Sequence, residues 1–518
     1  MSDGKDKTAP TPPVEQPPEV IDGVPISRSD RARILRKVDL NVLPIATLMY
    51  LMSFLDRGNI GNAKIAGLTT DLKLSPQQYA VAVSMIYASY VTFEIPSNLL
   101  LKKLTPSKWL PSICLAWGIV TVMTGLVHNY PSLVAIRLIL GFVESGLFPG
   151  MAFYLTLWYP RHSLFLRFGL FFSAATLAGA FGGLLARALN AMNGQAGLEG
   201  WRWIFIVEGI LTCIIALAAY FLVPNSPAHA RFLTDTEKDK LIAILHHDSA
   251  RENQAFSWAE VRSAFKSLQV WIAALICITI AMPTFSFALF IPSIIQQLGF
   301  TGTNNNHAQL MTVPPYAVGF VCTIAAAALS DHKRHRAGFL LGSIVVGMVG
   351  YAILISASHD NVRYGGTFMT AAGIFTATAL NVPWLSNNLP GHSRRAAGSA
   401  LQLAVGQIGG IAGAYLYPDT DAPRYLTGHA ACLGSLGLAA LATVAQYLHL
   451  RHENHKLDAA QAAREAEKKD EKAQLKKQES AGHAPGGAAD VEKPPTPDYE
   501  EDERRIREEA EASFRYTL

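Results

Sequence analysis

Charged side chains are scarce in this sequence. Only 16% of its 518 residues are Asp, Glu, Lys or Arg, against half in the hydrophobic set. A soluble globular chain carries about a quarter charged residues. The few charges also crowd into both ends, a central stretch and short connecting segments, leaving long runs nearly bare. That distribution argues against an ordinary soluble domain and for a polytopic membrane protein. The formal net charge of +4 adds little, and nothing in the sequence calls for a nucleic-acid partner.

Cysteine is equally sparse. Cys114, Cys213, Cys277, Cys322 and Cys432 are dispersed and mostly sit in apolar runs. An odd, scattered set of this kind offers neither a disulfide framework nor a metal-ligand cluster. No GxxxxGK[ST] loop occurs, so ATP is not expected to drive anything. HExxH and GxSxG are missing as well, which leaves an intramembrane hydrolase without support. No enzymatic activity, cofactor or metal is therefore expected. The opening stretch is polar and proline-rich to about residue 35 and lacks the pattern of a cleavable signal peptide.

What the sequence has in quantity is long apolar segments. A helix needs about 20 mainly apolar residues to cross a ~30 Å hydrocarbon core. Twelve segments meet that ruler, at about 40–60, 78–101, 109–127, 131–155, 165–189, 202–223, 268–291, 308–330, 337–357, 363–386, 397–417 and 426–448. Six precede a polar stretch and six follow it. The expected fold is an all-α polytopic membrane protein with twelve transmembrane helices in two six-helix bundles. Its parts are a disordered tail (1–38), a first bundle (39–223), a central loop (224–266), a second bundle (267–449) and a C-terminal tail (450–518).

Lysine and arginine set the expected orientation. Arg31, Arg33, Arg36 and Lys37 precede the first segment, and Lys102, Lys103 and Lys108 follow the second. Arg161, Arg167, Lys333, Arg334, Arg336, Arg394 and Arg395 lie on the same side. Both tails and the central loop are thus expected in the cytoplasm. Near the C-terminus, "LDAAQAAREAEKKDEKAQLKKQ" joins good helix formers to interleaved charges and reads as a solvated helix.

Ionisable residues inside the apolar segments carry the functional signal, because an intramembrane charge is costly and usually faces a bundle interior or a cavity. The first segment ends in "LDRGNIGNA", with Asp56 and Arg57 side by side. At 1.5 Å per residue, Asp56 lies ~24 Å from the inner face, and Arg137, running the other way, ~9 Å from the outer one. The two are nearly level, so Arg137 is the expected charge partner of one of the pair. The fourth segment reads "RLILGFVESGLFPG" and puts Arg137 and Glu144 two turns apart on one face. Gly141 between them admits a neighbouring helix. Burial and a nearby arginine act in opposite directions on a carboxylate, which suits Glu144 to alternate between proton and arginine. A plain structural salt bridge is the competing reading.

Other segments add polar groups. In "IYASYVTFEIPSN", Tyr87 and Tyr90 share a helix face and Glu94 follows one turn on. "NVPWLSNNLPG" carries Asn381 and Trp384 beside Pro383, and "LQLAVGQIGGIAG" carries Gln402 and a mid-depth Gln407. Asp331, with Arg334 and Arg336, fills "ALSDHKRHRAG", which reads as a basic loop or as a network locking the cytoplasmic gate.

Taken together, these motifs resemble the major facilitator superfamily, and within it the anion:cation symporter family. "LDRGNIGNA", "EIPSN", "RLILGFVESGLFPG", "GWRWIFIVEG" and the terminal "FRYTL" are similar to those of fungal permeases of the allantoate, nicotinate and pantothenate type. The resemblance covers about residues 30 to 450. It implies two bundles rocking about a central site, and proton-coupled import of a small organic anion. It also implies proton sites at Asp56 and Glu144, a substrate carboxylate on Arg57 and a charge partner in Arg137. Tyr90, Asn381, Trp384 and Gln407 match cavity positions more loosely, and Tyr87 joins them as a substrate-binding candidate. The sequence departs from the superfamily after its second segment, where Asn98 and Lys102 replace the usual Gly and Asp.

The expected function is secondary active transport by alternating access across the plasma membrane, by a monomer whose partners are a small organic anion, protons and the lipid bilayer. A proton-coupled exporter of a metabolite or toxin, and a sensor that binds without transporting, are the alternatives.

Overall fold

Helix dominates wherever the computed structural model describes the chain, which is over residues 19–21, 24–250, 257–299, 306–333 and 335–481. The first half comprises α1 (Arg28–Ile65), α2 (Leu68–Asp71), α3 (Pro76–Lys103), α4 (Pro106–Thr124), α5 (Tyr130–Glu144), α6 (Leu147–Thr156), α7 (Arg161–Asn190) and α8 (Gly200–Leu222). A linker follows with α9 (Asp235–Ala250) and α10 (Trp258–Lys266). The second half comprises α11 (Leu268–Gln297), α12 (Asn306–Met311), α13 (Val313–Lys333), α14 (Arg336–Ser356), α15 (Asp360–Asn387), α16 (His392–Gly413) and α17 (Leu426–Ala481).

Nine helical stretches among the described residues are long and apolar enough by themselves to cross a membrane. α3, α4 and α16, of 28, 19 and 22 residues, complete the expected twelve. They are less apolar because they carry more polar residues, among them Ser84, Ser89 and Glu94 of α3, Lys108 and Ser112 of α4, and Gln402 and Gln407 of α16. The outer surface is the reverse of a soluble protein's, with Phe221 at 88% and Leu441 at 70% exposure. Such side chains are solvated by lipid tails rather than water.

The helix ends follow local chemistry. Ser27 caps α1 by accepting a hydrogen bond from the Asp30 backbone N–H at 3.0 Å, and Asp30 complements the helix dipole. This start corrects the reading of 1–38 as a disordered tail. The prolines that suggested disorder stop at Pro25, and Ile34, Leu35 and Val38 beyond them are buried. Before the helix, β1 (Glu19–Ile21) and β2 (Val24–Ile26) form a short antiparallel hairpin, and Ile26 packs on Ala243 and Ile244 of α9. The fourth segment breaks into α5 and α6 around Ser145 and Gly146. At the other end of the chain α17 continues to Ala481, so the charged helix foreseen at 457–478 extends the last span. "FRYTL" lies outside the described residues.

The linker divides its two helices between the halves. Glu237 of α9 accepts two hydrogen bonds from Lys37 at 2.8 Å, and Lys240 bonds Asp30 at 2.6 Å. Glu260 of α10 instead accepts from the backbone N–H groups of Ser393 and Arg394 at the start of α16.

Candidate functional site

α1 is held against α7 and α8, and α5 against α3 and α4. At Gly141 a side chain would strike the Ser89 hydroxyl and the Ile86 carbonyl, so α3 and α5 touch almost backbone to backbone there. That contact fixes the rotation of α5 and aims Glu144 at α1.

Glu144 meets Arg57. The guanidinium Nε and Nη2 both lie 2.8 Å from Oε1, and the Ser53 hydroxyl donates to the same oxygen at 2.5 Å. Oε2 has no partner. Arg57 is also flanked by aromatic rings, its guanidinium carbon 5.1 Å from the Tyr90 centroid and 5.3 Å from that of Phe54. Cation–π contacts of this kind strengthen when desolvated, and Arg57 is 9% exposed. The Tyr90 hydroxyl and Oε2 of Glu94 are buried without a hydrogen-bond partner among the described residues. Arginine, tyrosine and two acids thus line one face between α1, α3 and α5.

Asp56 turns the other way, as neighbours on a helix must. Its Oδ2 accepts from Thr121 of α4 at 2.8 Å, and its Oδ1 has no hydrogen-bond partner among the described residues. Arg137 does not form the expected contact pair. It is 1% exposed, lies 5.5 Å from the Phe205 ring centroid, and has Nε and Nη2 without hydrogen-bond partners among the described residues. No ion pair of Arg137 within 4 Å is found among the described residues, so the arginine that neutralises Glu144 is Arg57. Arg137 and Asp56 act on each other electrostatically, without a contact.

The second half supplies the facing wall. Tyr87 packs on Gly410 of α16 and on Phe285 of α11, with ring centroids 5.0 Å apart in the latter pair. Gln407, one turn from Gly410, is 9% exposed with Oε1 unpartnered. Helix periodicity therefore brings Gln407 near the level of Tyr90, one turn from Tyr87. Asn381 and Trp384 on α15 are each 2% exposed, and Gln402 donates to the Asn381 carbonyl at 3.4 Å. The Asn381 Oδ1 is unpartnered. Asn59 and Asn62 face Gly182 of α7, and both polar atoms of the Asn59 amide lack partners.

A cavity of about 20 Å³ lies between the halves, lined in part by Phe54, Asn62, Gly182, Pro292, Tyr316 and Phe375. It has room for about one water, so the halves are nearly closed there. Toward the end opposite the basic loops, Lys64 pairs with Asp419 at 2.7 Å and Ser84 bonds Tyr415 at 3.3 Å. Both contacts join one half to the other. A cleft of about 730 Å³ opens beside them, between Lys64, Asn193, Gln297 and Tyr425.

Of the expected gate, Asp331 and Arg336 approach to 3.7 Å and Arg336 also meets the Asn387 amide. Arg334 lies outside the described residues. This network ties α13, α14 and α15 together within the second half.

Glu208 of α8 was passed over in the sequence, where "GWRWIFIVEG" served only as a family marker. It is fully buried, and neither carboxyl oxygen has a hydrogen-bond partner among the described residues. A lone acid within an apolar segment was the available signal.

Residues 46–414 match the family model described as Major Facilitator Superfamily. An uncharacterized transporter of Schizosaccharomyces pombe is 38% identical over 420 residues, 80% of this chain and 83% of that protein. The high-affinity nicotinic acid transporter of Saccharomyces cerevisiae is 34% identical over 410 residues, 79% of this chain and 76% of that one. A bacterial homologue of the human lysosomal transporter Spinster, solved in an inward-facing and unoccupied conformation, gives a TM-score of 0.60 at 17% identity. The match covers 82% of this chain and 97% of that structure, and it concerns the fold alone. Twelve helices in two bundles, a buried charge cluster at their heart and these likenesses agree: the chain belongs to the major facilitator superfamily and is a multi-pass membrane transporter.

Proposed function

We propose that the protein imports a small organic anion, a carboxylate or vitamin such as nicotinate, pantothenate or allantoate, together with protons. The observation that carries this reading is the buried Arg57–Glu144 pair beside two aromatic rings. An arginine neutralised by an internal carboxylate is available to a substrate carboxylate only when that internal one is protonated. Competition for one guanidinium therefore couples proton to anion. The nicotinic acid transporter among the relatives supports this substrate class.

In the proposed cycle the carrier opens outward with Asp56 and Glu144 protonated and Arg57 free. The anion takes Arg57, with Tyr87, Tyr90, Asn381, Trp384 and Gln407 shaping its surroundings. The halves close over it, and the inner side opens. Loss of the protons lets Arg57 return to Glu144, the arrangement seen here, and the empty carrier resets. Against an inside-negative potential each charge is worth about 2.3 kcal/mol per 100 mV. Symport with more than one proton per anion would thus draw on both potential and pH gradient. The carrier works as a monomer in the plasma membrane, with both tails in the cytoplasm.

Cells overexpressing the protein should accumulate labelled nicotinate, pantothenate or allantoate faster when the outside is acidified. Acid-driven loss from preloaded cells, without uptake, would instead establish export.

A further inference from the structure

Glu208 takes no part in the exchange between Arg57 and Glu144. The Asp56 carboxyl acts on Glu208 electrostatically, and three of the four carboxyl oxygens of these two residues have no hydrogen-bond partner among the described residues, Thr121 holding the fourth. Their proximity is imposed by packing. A side chain at Gly209 would lie 2.6 Å from the Val122 backbone nitrogen, so α4 and α8 are pressed together there. Thr121, which precedes Val122, bonds Asp56, and Glu208 precedes Gly209, so this seam brings the Glu208 turn of α8 to the level of Asp56.

The surroundings decide the charge. α4 contributes Thr121, Trp117 and the Cys114 thiol, all buried. α5 contributes Arg137, whose field reaches Asp56, and Glu144, which is already occupied by Arg57. α7 also packs on α8, and its Arg187 is exposed. One arginine, without an ion-pair contact, thus serves two adjoining carboxyl groups. Two buried carboxylates side by side repel each other, so with no cation in contact the arrangement favours one proton between them.

We propose that Asp56 and Glu208 share a single proton, forming a proton store between α1, α4 and α8 that is separate from the Arg57–Glu144 pair. When the proton leaves, two adjoining negative charges draw Arg137 away from the Phe205 ring; when it returns, Arg137 is released. The store gives the import cycle a proton site that the anion never touches. It rests on the proton-coupled reading for its role, though not for its existence.

Infrared difference spectra of the full-length purified protein, taken across a pH titration without substrate, read protonated carboxyl groups through their C=O stretch. The wild type should show one such band that Glu208→Gln removes, and Asp56→Asn should move the titration of the same band, because a shared proton belongs to the pair. A band unchanged in amplitude and midpoint by Glu208→Gln, or untouched by Asp56→Asn, overturns the sharing. Should Glu208→Gln not yield folded protein, Glu208→Asp keeps the acid on a shorter side chain and must shift the midpoint, and an unshifted midpoint is equally fatal. No flux is measured, so failure of the import reading leaves this result standing. Acid-stimulated uptake with an unperturbed band would remove the store alone.

Discussion

Arg57 and Glu144, 87 positions apart in the sequence, meet inside the first bundle through two contacts of 2.8 Å to one carboxylate oxygen. Both are almost wholly withdrawn from solvent. A buried pair of this kind adds little to stability as a whole, but removing one partner strands the other.

Glu144→Ala should therefore lower stability by about 3 kcal/mol, read as a drop in the thermal midpoint of the purified protein. Truncating Arg57 in addition should recover part of that loss, because no buried charge is then left alone. A simple sum of the two single losses would show that the residues do not act as a pair.

Glu144→Gln keeps the shape of the side chain and removes its charge and its proton. Accumulation driven by external acid should fall to background, with exchange of labelled for unlabelled nicotinate partly spared. Asp56→Asn should behave alike. Wild-type pH dependence in both variants would remove them from proton coupling.

Arg57→Lys retains the charge but loses the planar fork that grips two acceptors. Half-saturation for uptake should rise about tenfold or more, corresponding to about 1.4 kcal/mol. An unchanged value would shift the anion contact to Arg137.

Gly141→Leu places a side chain against the Ile86 carbonyl. Overpacking of this sort costs about 1–3 kcal/mol. Since the same contact orients Glu144, transport should fall together with the thermal midpoint.

Outside the membrane, the Lys37 hydrogen bond holds the Glu237 carboxyl below its ordinary value of 4.5. A lowered folded-state value means that the contribution is complete above the unfolded-state value and is lost as pH falls through the folded-state one. Protection of α9 backbone amides from hydrogen exchange should be unaffected between pH 7 and 5 and fall in stronger acid. Glu237→Gln should show reduced protection already at pH 7.

Much of this molecule is legible in one dimension. Hydropathy alone marks nine of the spans, because an apolar run of sufficient length is a local property and lipid demands it, while the other three carry more polar residues. The same logic marked Asp56, Arg57, Arg137 and Glu144, since a charge within such a run is expensive wherever it points. The N-terminal boundary was misplaced because proline content upstream of Pro25 says nothing about residues 28–38, which Ser27 caps and α9 binds.

Pairing was a different matter. Depth along a helix follows from counting residues, which is why Asp56 and Arg137 are expected at one level. Rotation about the helix axis does not follow from counting. The close approach of α3 and α5 at Gly141 turned Glu144 toward Arg57, and the seam of α4 against α8 at Gly209 brought Glu208 to Asp56. The sequence by itself determined which residues are buried charges and roughly how deep they lie. Only the tertiary structure decided which of them face each other, because that depends on where neighbouring backbones come close enough to lock each helix in rotation.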